Sequence, residues 1–261
     1  MRVVLGCLLS SIAFGQFATV TTEINGDTMT VTFADPVRYV APIAPFFSGQ
    51  QEVQTVRMLP DRRLELRVSG QKMWRDSQGR TRTERELGPP HYPSVHGVFI
   101  LTEIRDPMNG VYYVLDDRSR IAHRLILSDS LMRAVMPATP RKIHVGCAAQ
   151  TARSAVRLTC AESVFAERNV EGVMASGWRL YSIVTGPTDD RPLIVTDEEW
   201  YSQELGMTVL SRHSDPREGE TMMRWINLSR VAPDISMFAP PKDYRVVDEK
   251  DSFGIALKRQ Y

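Results

Sequence analysis

From residue 17 onward the chain alternates apolar and polar positions in short runs broken by turn residues, which is the period-two signature of antiparallel strands. Phe17, Val20, Ile24, Met29, Val31 and Phe33 flank Asn25-Gly26-Asp27, a hairpin signal. Residues 35–50 carry Pro36, Pro42, Pro45 and Gly49 and read as an irregular loop. A second hairpin is predicted from residues 55–59 and 64–68 around Pro60-Asp61-Arg62-Arg63. There Leu64, Leu66 and Val68 alternate with Glu65 and Arg67, so the apolar side is expected in the core. Residues 71–75 and 80–86 flank Asp76-Ser77-Gln78-Gly79 as a third. The second arm is polar on both faces and predicts a sheet edge, or a strand wet on both sides, whose charges block unwanted pairing. The rival reading is a binding surface for an anionic group, which Glu84 and Glu86 weaken.

Residues 98–105 and 111–115 pair around Asp106-Pro107-Met108-Asn109-Gly110, and 121–127 follows. Over 128–169 the two-residue period is lost. Residues 130–136 predict a helical turn or two stopped by Pro137, and 148–155 a loop or short helix. The pattern resumes at 171–181, turns at 186–192, and runs on through 193–201. The corner Ser202-Gln203-Glu204-Leu205-Gly206 leads to a strand at 207–210. A hairpin turn follows at Asp215-Pro216-Arg217-Glu218-Gly219, where Pro pre-sets a negative φ and Gly admits a positive one. Residues 221–229 run back as its partner, ending in a proline-rich stretch that carries one buried phenylalanine, Phe238. Roughly ten strands with hairpin connections and very little helix predict a mainly β protein, as a curved sheet, sandwich or open barrel. No linker separates two complete patterns, so one β-rich domain is expected over 16–247. Residues 242–261 depart from the pattern, and 248–261 read as a C-terminal tail or docking segment ending in Lys258-Arg259-Gln260-Tyr261.

The first fifteen residues read differently. Met1-Arg2 precedes a short apolar run, and Ala13-Phe14-Gly15 supplies small residues two apart, so residues 1–15 are expected to be a signal peptide cleaved after Gly15. The run is too short to span a bilayer. Val4-Leu5-Gly6-Cys7 superficially matches a lipid-attachment box, yet no adequate apolar region precedes Cys7. No other stretch approaches spanning length, and the mean hydropathy is −0.23. Cleavage removes Arg2 from the 32 basic residues and leaves them equal in number to the 31 acidic ones. That balance argues against a nucleic-acid partner. Of the 3 cysteines, Cys147 and Cys160 survive cleavage and are expected to pair in an oxidising compartment.

The stretch 200–244 resembles the C-terminal part of the lipoprotein-carrier superfamily (LolA/LolB/RseB-like). It does so in Trp200-Tyr201, the Gly219-Glu220 turn, Asn227-Leu228, and Pro233-Asp234-Ile235-Ser236-Met237-Phe238 leading to Pro241 and Tyr244. The phrase Trp74-Arg75-Asp76-Ser77-Gln78-Gly79-Arg80-Thr81-Arg82 is similar to uncharacterised secreted bacterial proteins of this type. The similarity covers 50–127 and 170–247. It implies a strongly curved antiparallel sheet forming a half-open barrel with a few short helices, and a lipid-handling role. It carries over no catalytic residue.

Catalytic signatures are absent: there is no G-x-S-x-G elbow, phosphate loop or H-E-x-x-H helix. Asp116-Asp117 and Asp189-Asp190 lack the alternation of a calcium loop. His91 and His96 share one loop at a spacing that is not diagnostic of a metal. His144-x-x-Cys147 has no second ligand pair. His213 sits near Asp215 with no nucleophile close in sequence. Trp74, Trp178, Trp200 and Trp225 all fall in predicted strands, as core packing or as the lining of an apolar concavity. They are the candidate ligand-binding residues.

The expectation is a periplasmic or secreted, non-enzymatic protein without cofactor or metal. It binds an apolar small molecule, a lipid or a lipoprotein acyl chain. The alternative is an envelope sensor or scaffold acting on another envelope protein through a sheet edge or the 80–86 arm. A hydrolase would need a nucleophile and base brought together from distant segments.

Overall fold

The computed structural model describes residues 19–25, 28–34, 45–59, 61–87, 99–127, 157–185 and 192–256. The expected leader 1–15, helix 130–136, segment 148–155, and residues His91, His96, His144 and Cys147 lie outside them. The protein is mainly β. Its strands are β1 (Thr19–Asn25), β2 (Thr28–Ala34), β3 (Phe47–Met58), β4 (Leu64–Arg75), β5 (Thr81–Leu87), β6 (Phe99–Asp106), β7 (Val111–Asp116) and β8 (Ile121–Ile126). They continue as β9 (Arg157–Val170), β10 (Val173–Thr185), β11 (Leu193–Ser202), β12 (Met207–Asp215), β13 (Gly219–Ser229), β14 (Arg245–Asp248) and β15 (Phe253–Ala256). Among the described residues the one helical element is the 3-10 turn Ile235–Phe238.

Hydrogen-bonded neighbours follow the order β14-β8-β7-β6-β5-β4-β3-β13-β12-β11-β10-β9 in a 12-stranded sheet, and β1-β2-β15 in a 3-stranded one. The large sheet ends at β14 and β9 among the described residues, so it is open rather than a closed barrel. Two compact units divide the chain. Unit 1 comprises residues 1–48, 71–136 and 229–261, and unit 2 residues 49–70 and 137–228.

In unit 1 the alternation expected from sequence is met with its apolar side inward. Leu87, Phe99, Leu101, Val114 and Leu125 from β5 to β8 pack against Met29, Val31, Phe253 and Ile255 of the small sheet. In β2, Met29 and Val31 are buried while Thr28, Thr30 and Thr32 are exposed. A second cluster joins Ile104, Leu115 and Ala122 to Tyr113 and Tyr244, and Phe238 is buried as expected.

Three hairpin turns of unit 1 close by one device. Asp76 Oδ1 accepts from the backbone N–H of Gln78 and Arg80, Asp106 Oδ1 from that of Asn109, and Asp116 Oδ1 from those of Arg118 and Ser119. All three carboxylates belong to buried residues, which the backbone donors make tolerable.

Two expectations for unit 1 change. Residues 242–261 are not without strands: β14 pairs in parallel with β8, and β15 pairs antiparallel with β2, with Phe253 and Ile255 in the core. Four residues each are too few to display a period. The polar arm 80–86 is not a sheet edge either, because β5 lies between β4 and β6. Part of its charge is matched locally: Arg82 donates to Glu84 at 2.8 Å and to the Met237 carbonyl at 3.4 Å, and Arg85 lies 3.8 Å from Glu103, which also accepts from Thr83 at 3.3 Å.

In unit 2 the expected hairpins β10–β11, β11–β12 and β12–β13 are present. The loss of period predicted over 128–169 gives way at its C-terminal end to β9, a strand of 14 residues paired along its length with β10. Most described residues of β9 are exposed on both faces, with Val164 at 75%. An edge strand with neither face in the core has no reason to alternate. Residues 64–68 and 71–75, read as two strands, form one continuous β4. Gly70 allows close approach there, since a Cβ would lie 3.0 Å from the Gln51 carbonyl.

The β12–β13 turn repeats the aspartate device. Asp215 Oδ1 accepts from Arg217 N at 2.8 Å, and its Oδ2 pairs with Arg217 Nη2 at 2.6 Å. The Arg217 guanidinium holds the Asp215 carboxyl down at about 2. A depressed folded-state value stabilises above the ordinary carboxylate value and is lost as pH falls through the folded one. The melting-temperature gap between wild type and Asp215→Asn is therefore expected to be full at pH 6 and to close as pH falls from about 4 to about 2. A gap that persists unchanged at the acid end would show that Asp215 acts without its charge.

Candidate functional site

The main departure from expectation lies in β4. Leu64, Leu66 and Val68 were expected in the core, but they are 70%, 61% and 48% exposed. Glu65 and Arg67, on the other side of the strand, are only 27% and 36% exposed and pair at 2.9 Å. The period is right and its polarity is inverted. At the β3–β4 turn, closed by Leu59 N donating to the Arg63 carbonyl at 2.8 Å, Met58 adds a further apolar side chain at 63% exposure. Unit 2 therefore presents a row of large aliphatic side chains at every second position of one strand, where a soluble surface ordinarily has polar ones.

The candidate tryptophans separate by burial. Trp200 and Trp225 are 4% and 1% exposed, whereas Trp74 and Trp178 are half-buried. Trp178 and Trp200 fall on opposite faces, because Trp178 opposes Glu199 and Gly177 opposes Trp200 in the β10–β11 register.

Trp200 is held on every side. Gly177 lies beneath its ring so closely that a Cβ there would sit 2.7 Å from it. Phe165 stacks on it at 5.5 Å and 8°, and the Arg168 guanidinium lies 3.8 Å above the ring. Trp200 Nε1 donates to Glu198 at 2.6 Å, and Glu198 accepts from Arg179, which in turn donates to the Tyr181 hydroxyl at 2.9 Å. Register shifts in β10 (between Ala175 and Gly177) and in β11 (between Trp200 and Tyr201) meet at this point. Bulges bend strands, so the ring fills a local fold of the sheet rather than an open wall.

His213 has a hydrogen-bond partner other than its sequence neighbour Asp215. Its Nδ1 lies 2.6 Å from Asp197 Oδ1 on the neighbouring strand, a cross-strand partner that spacing along the sequence does not reveal. In unit 1, His123 is buried, stacked on Phe253 at 4.2 Å, with Nδ1 2.7 Å from Glu249. Among the described residues no cluster of three or more His, Cys, Asp or Glu side chains is arranged to hold a metal. Among them, too, no helix is long and apolar enough to cross a membrane.

The row on β4 was missed because a strand's period shows which residues share a face but not which face is covered. The one available signal is its neighbourhood. The inward-reading face is flanked by Met58 and a turn rich in charge, Asp61-Arg62-Arg63.

No family model matches the chain, and no curated protein matches it. Among solved structures the chain is similar to MucB, at a TM-score of 0.38 and 16% identity over 79% of this chain and 61% of that one. It is similar to the complex structure of Pseudomonas aeruginosa MucA/MucB at 0.36 and 12%, over 77% and 58%. It is also similar to a LolA superfamily protein from Nitrosomonas europaea at 0.30 and 10%, over 76% and 92%. The chain thus spans less than two thirds of the MucB chains it matches.

Proposed function

We propose that the protein is a non-enzymatic envelope protein, periplasmic or secreted after cleavage at Gly15, that binds an apolar or amphipathic ligand of the lipid or acyl-chain class. The observation that carries this reading is the exposed row Leu64, Leu66 and Val68. Covering such side chains recovers about 1.5–3 kcal/mol each, and an acyl chain contributes about 0.8 kcal/mol per buried methylene. Trp74 and Trp178, half-buried, are the tryptophans proposed to contact ligand and to report it by fluorescence. Trp200 and Trp225 support the sheet from within. Cys147 and Cys160 are proposed to pair, closing a loop worth about 3 kcal/mol in the entropy model.

Native mass spectrometry of the processed protein, purified from a bacterial envelope before and after organic extraction, tests the reading. A lipid-sized adduct removed by extraction is expected in wild type. It is expected to be lost in the Leu64→Ser, Leu66→Ser, Val68→Ser triple variant, whose melting temperature should stay within a few degrees because the replaced side chains are already exposed. A wild-type protein that carries no adduct and shows no tryptophan quenching by added fatty acid would overturn it and favour the scaffold reading. The same spectra show whether Gln16 starts the mature chain and whether two hydrogens are missing from Cys147 and Cys160.

A further inference from the structure

The chain passes between unit 1 and unit 2 after Ser48, Gly70 and Leu228, a further crossing lying outside the described residues. These three crossings fall inside β3, β4 and β13, which are consecutive neighbours in the order β4-β3-β13. They also lie side by side. A Cβ on Gly49 would sit 2.8 Å from Leu228 Cδ2, and one on Gly70 3.0 Å from the carbonyl of Gln51, two residues along β3 from Gly49.

Each of the three strands is weak at this line. β3 and β4 meet it with a glycine, which brings no side chain to pack and leaves the backbone its widest freedom. β13 meets it with Asn227, held at φ 54. The other non-glycine residues of positive φ among the described ones, Arg62, Arg120 and Glu171, lie in turns or bends, so Asn227 alone takes that conformation inside a strand. A left-handed residue there interrupts the ladder and lets the strand bend.

The flanking strands do not brace the line. Among the described residues the β12–β13 ladder ends at Leu210↔Arg224, and residues 225–229 of β13 run on without it. The β4–β5 ladder covers residues 71–75 of β4, on the unit 1 side alone. One weak strand in a sheet is held straight by its neighbours, but weaknesses aligned across three neighbours leave nothing to hold them. We propose that the 12-stranded sheet is hinged along the line through Gly70, Gly49 and Asn227, and that rotation of the backbone there lets the two units exchange between orientations. The row Leu64, Leu66 and Val68 stops two residues before Gly70, so the proposed ligand surface and the hinge share strand β4.

Double electron–electron resonance on the ligand-free full chain tests this, with nitroxide labels on Ser119→Cys in unit 1 and Glu218→Cys in unit 2. Labels on Ser77→Cys and Ser119→Cys give the reference inside unit 1, and all three positions are exposed. The distance distribution across the units is expected to be broader than the reference by about a factor of two or more. Gly70→Ala is expected to narrow it, as is Gly49→Ala combined with Leu228→Ala, where the shortened side chain makes room for the new methyl. Asn227→Gly, which admits the same φ with more freedom, is expected to broaden it. Leu228→Ala alone should keep the wild-type width, which separates lost packing from stiffening. A distribution across the units as narrow as the reference would overturn the proposal. So would equal narrowing by Leu228→Ala, or an unchanged width in both glycine variants whatever their melting temperatures, because a glycine kept only for close packing alters stability and not spread.

Discussion

Trp200→Ala is expected to destabilise unit 2 by about 3–5 kcal/mol, the usual cost of emptying a buried aromatic site. The ring is 4% exposed and lies between Phe165, Arg168 and the backbone of Gly177, so its loss leaves a cavity. Gly177→Ala is expected to cost about 1–3 kcal/mol by overpacking, because its new methyl would meet the indole at 2.7 Å. The double variant is the sharper measurement. With the indole gone, the methyl at 177 has room, and the second substitution adds little or partly fills the cavity. The sum of the single losses should therefore exceed the double loss by about 1 kcal/mol or more. Denaturant unfolding followed by circular dichroism reads all three, and strict additivity would mean that the ring and the glycine do not touch in solution.

The second large effect concerns the chain's end. A protein stopped after residue 252 loses Phe253 and Ile255, which are 9% and 0% exposed and belong to the main cluster of unit 1. Each such loss is worth about 2–5 kcal/mol, together a sizeable share of the 5–15 kcal/mol that stabilises a typical fold. The truncated chain is expected to lose its cooperative melting transition or to shift it by well over ten degrees. A chain stopped after residue 256 keeps both side chains and should melt close to the full-length protein. Equal stability of the two truncations would contradict the placement of β15.

How far the sequence alone discloses this molecule differs by element. Hairpins whose turns carry Asn-Gly, Asp-Pro or Asp-Ser signals, such as β1–β2, β6–β7 and β12–β13, are legible because turn and period agree. So is the burial of Phe238. β9 is hidden because an edge strand owes no face to a core. β14 and β15 are hidden because four residues hold at most two inward side chains. The central position of β5 is hidden because Arg82 pairs with Glu84 on one face while Arg85 lies near Glu103 on the other, and a run of charge looks solvated until its partners are seen. At the candidate site, the alternation of Leu64, Leu66 and Val68 was visible while its direction was not. Inside and outside are relations between strands, and no window along one strand contains them.

The pairing of β15 with β2 also sets an order of events. Residues 29 and 31 emerge from the ribosome more than two hundred residues ahead of 253 and 255, and the core of unit 1 contains all four. β2 gains its β15 neighbour, and the cluster its last two side chains, only after those residues have appeared. Contacts of such separation fold slowly, because the intervening loop must be ordered before they form. Until then β2 lacks its β15 partner, and an incompletely paired strand is the state most exposed to aggregation.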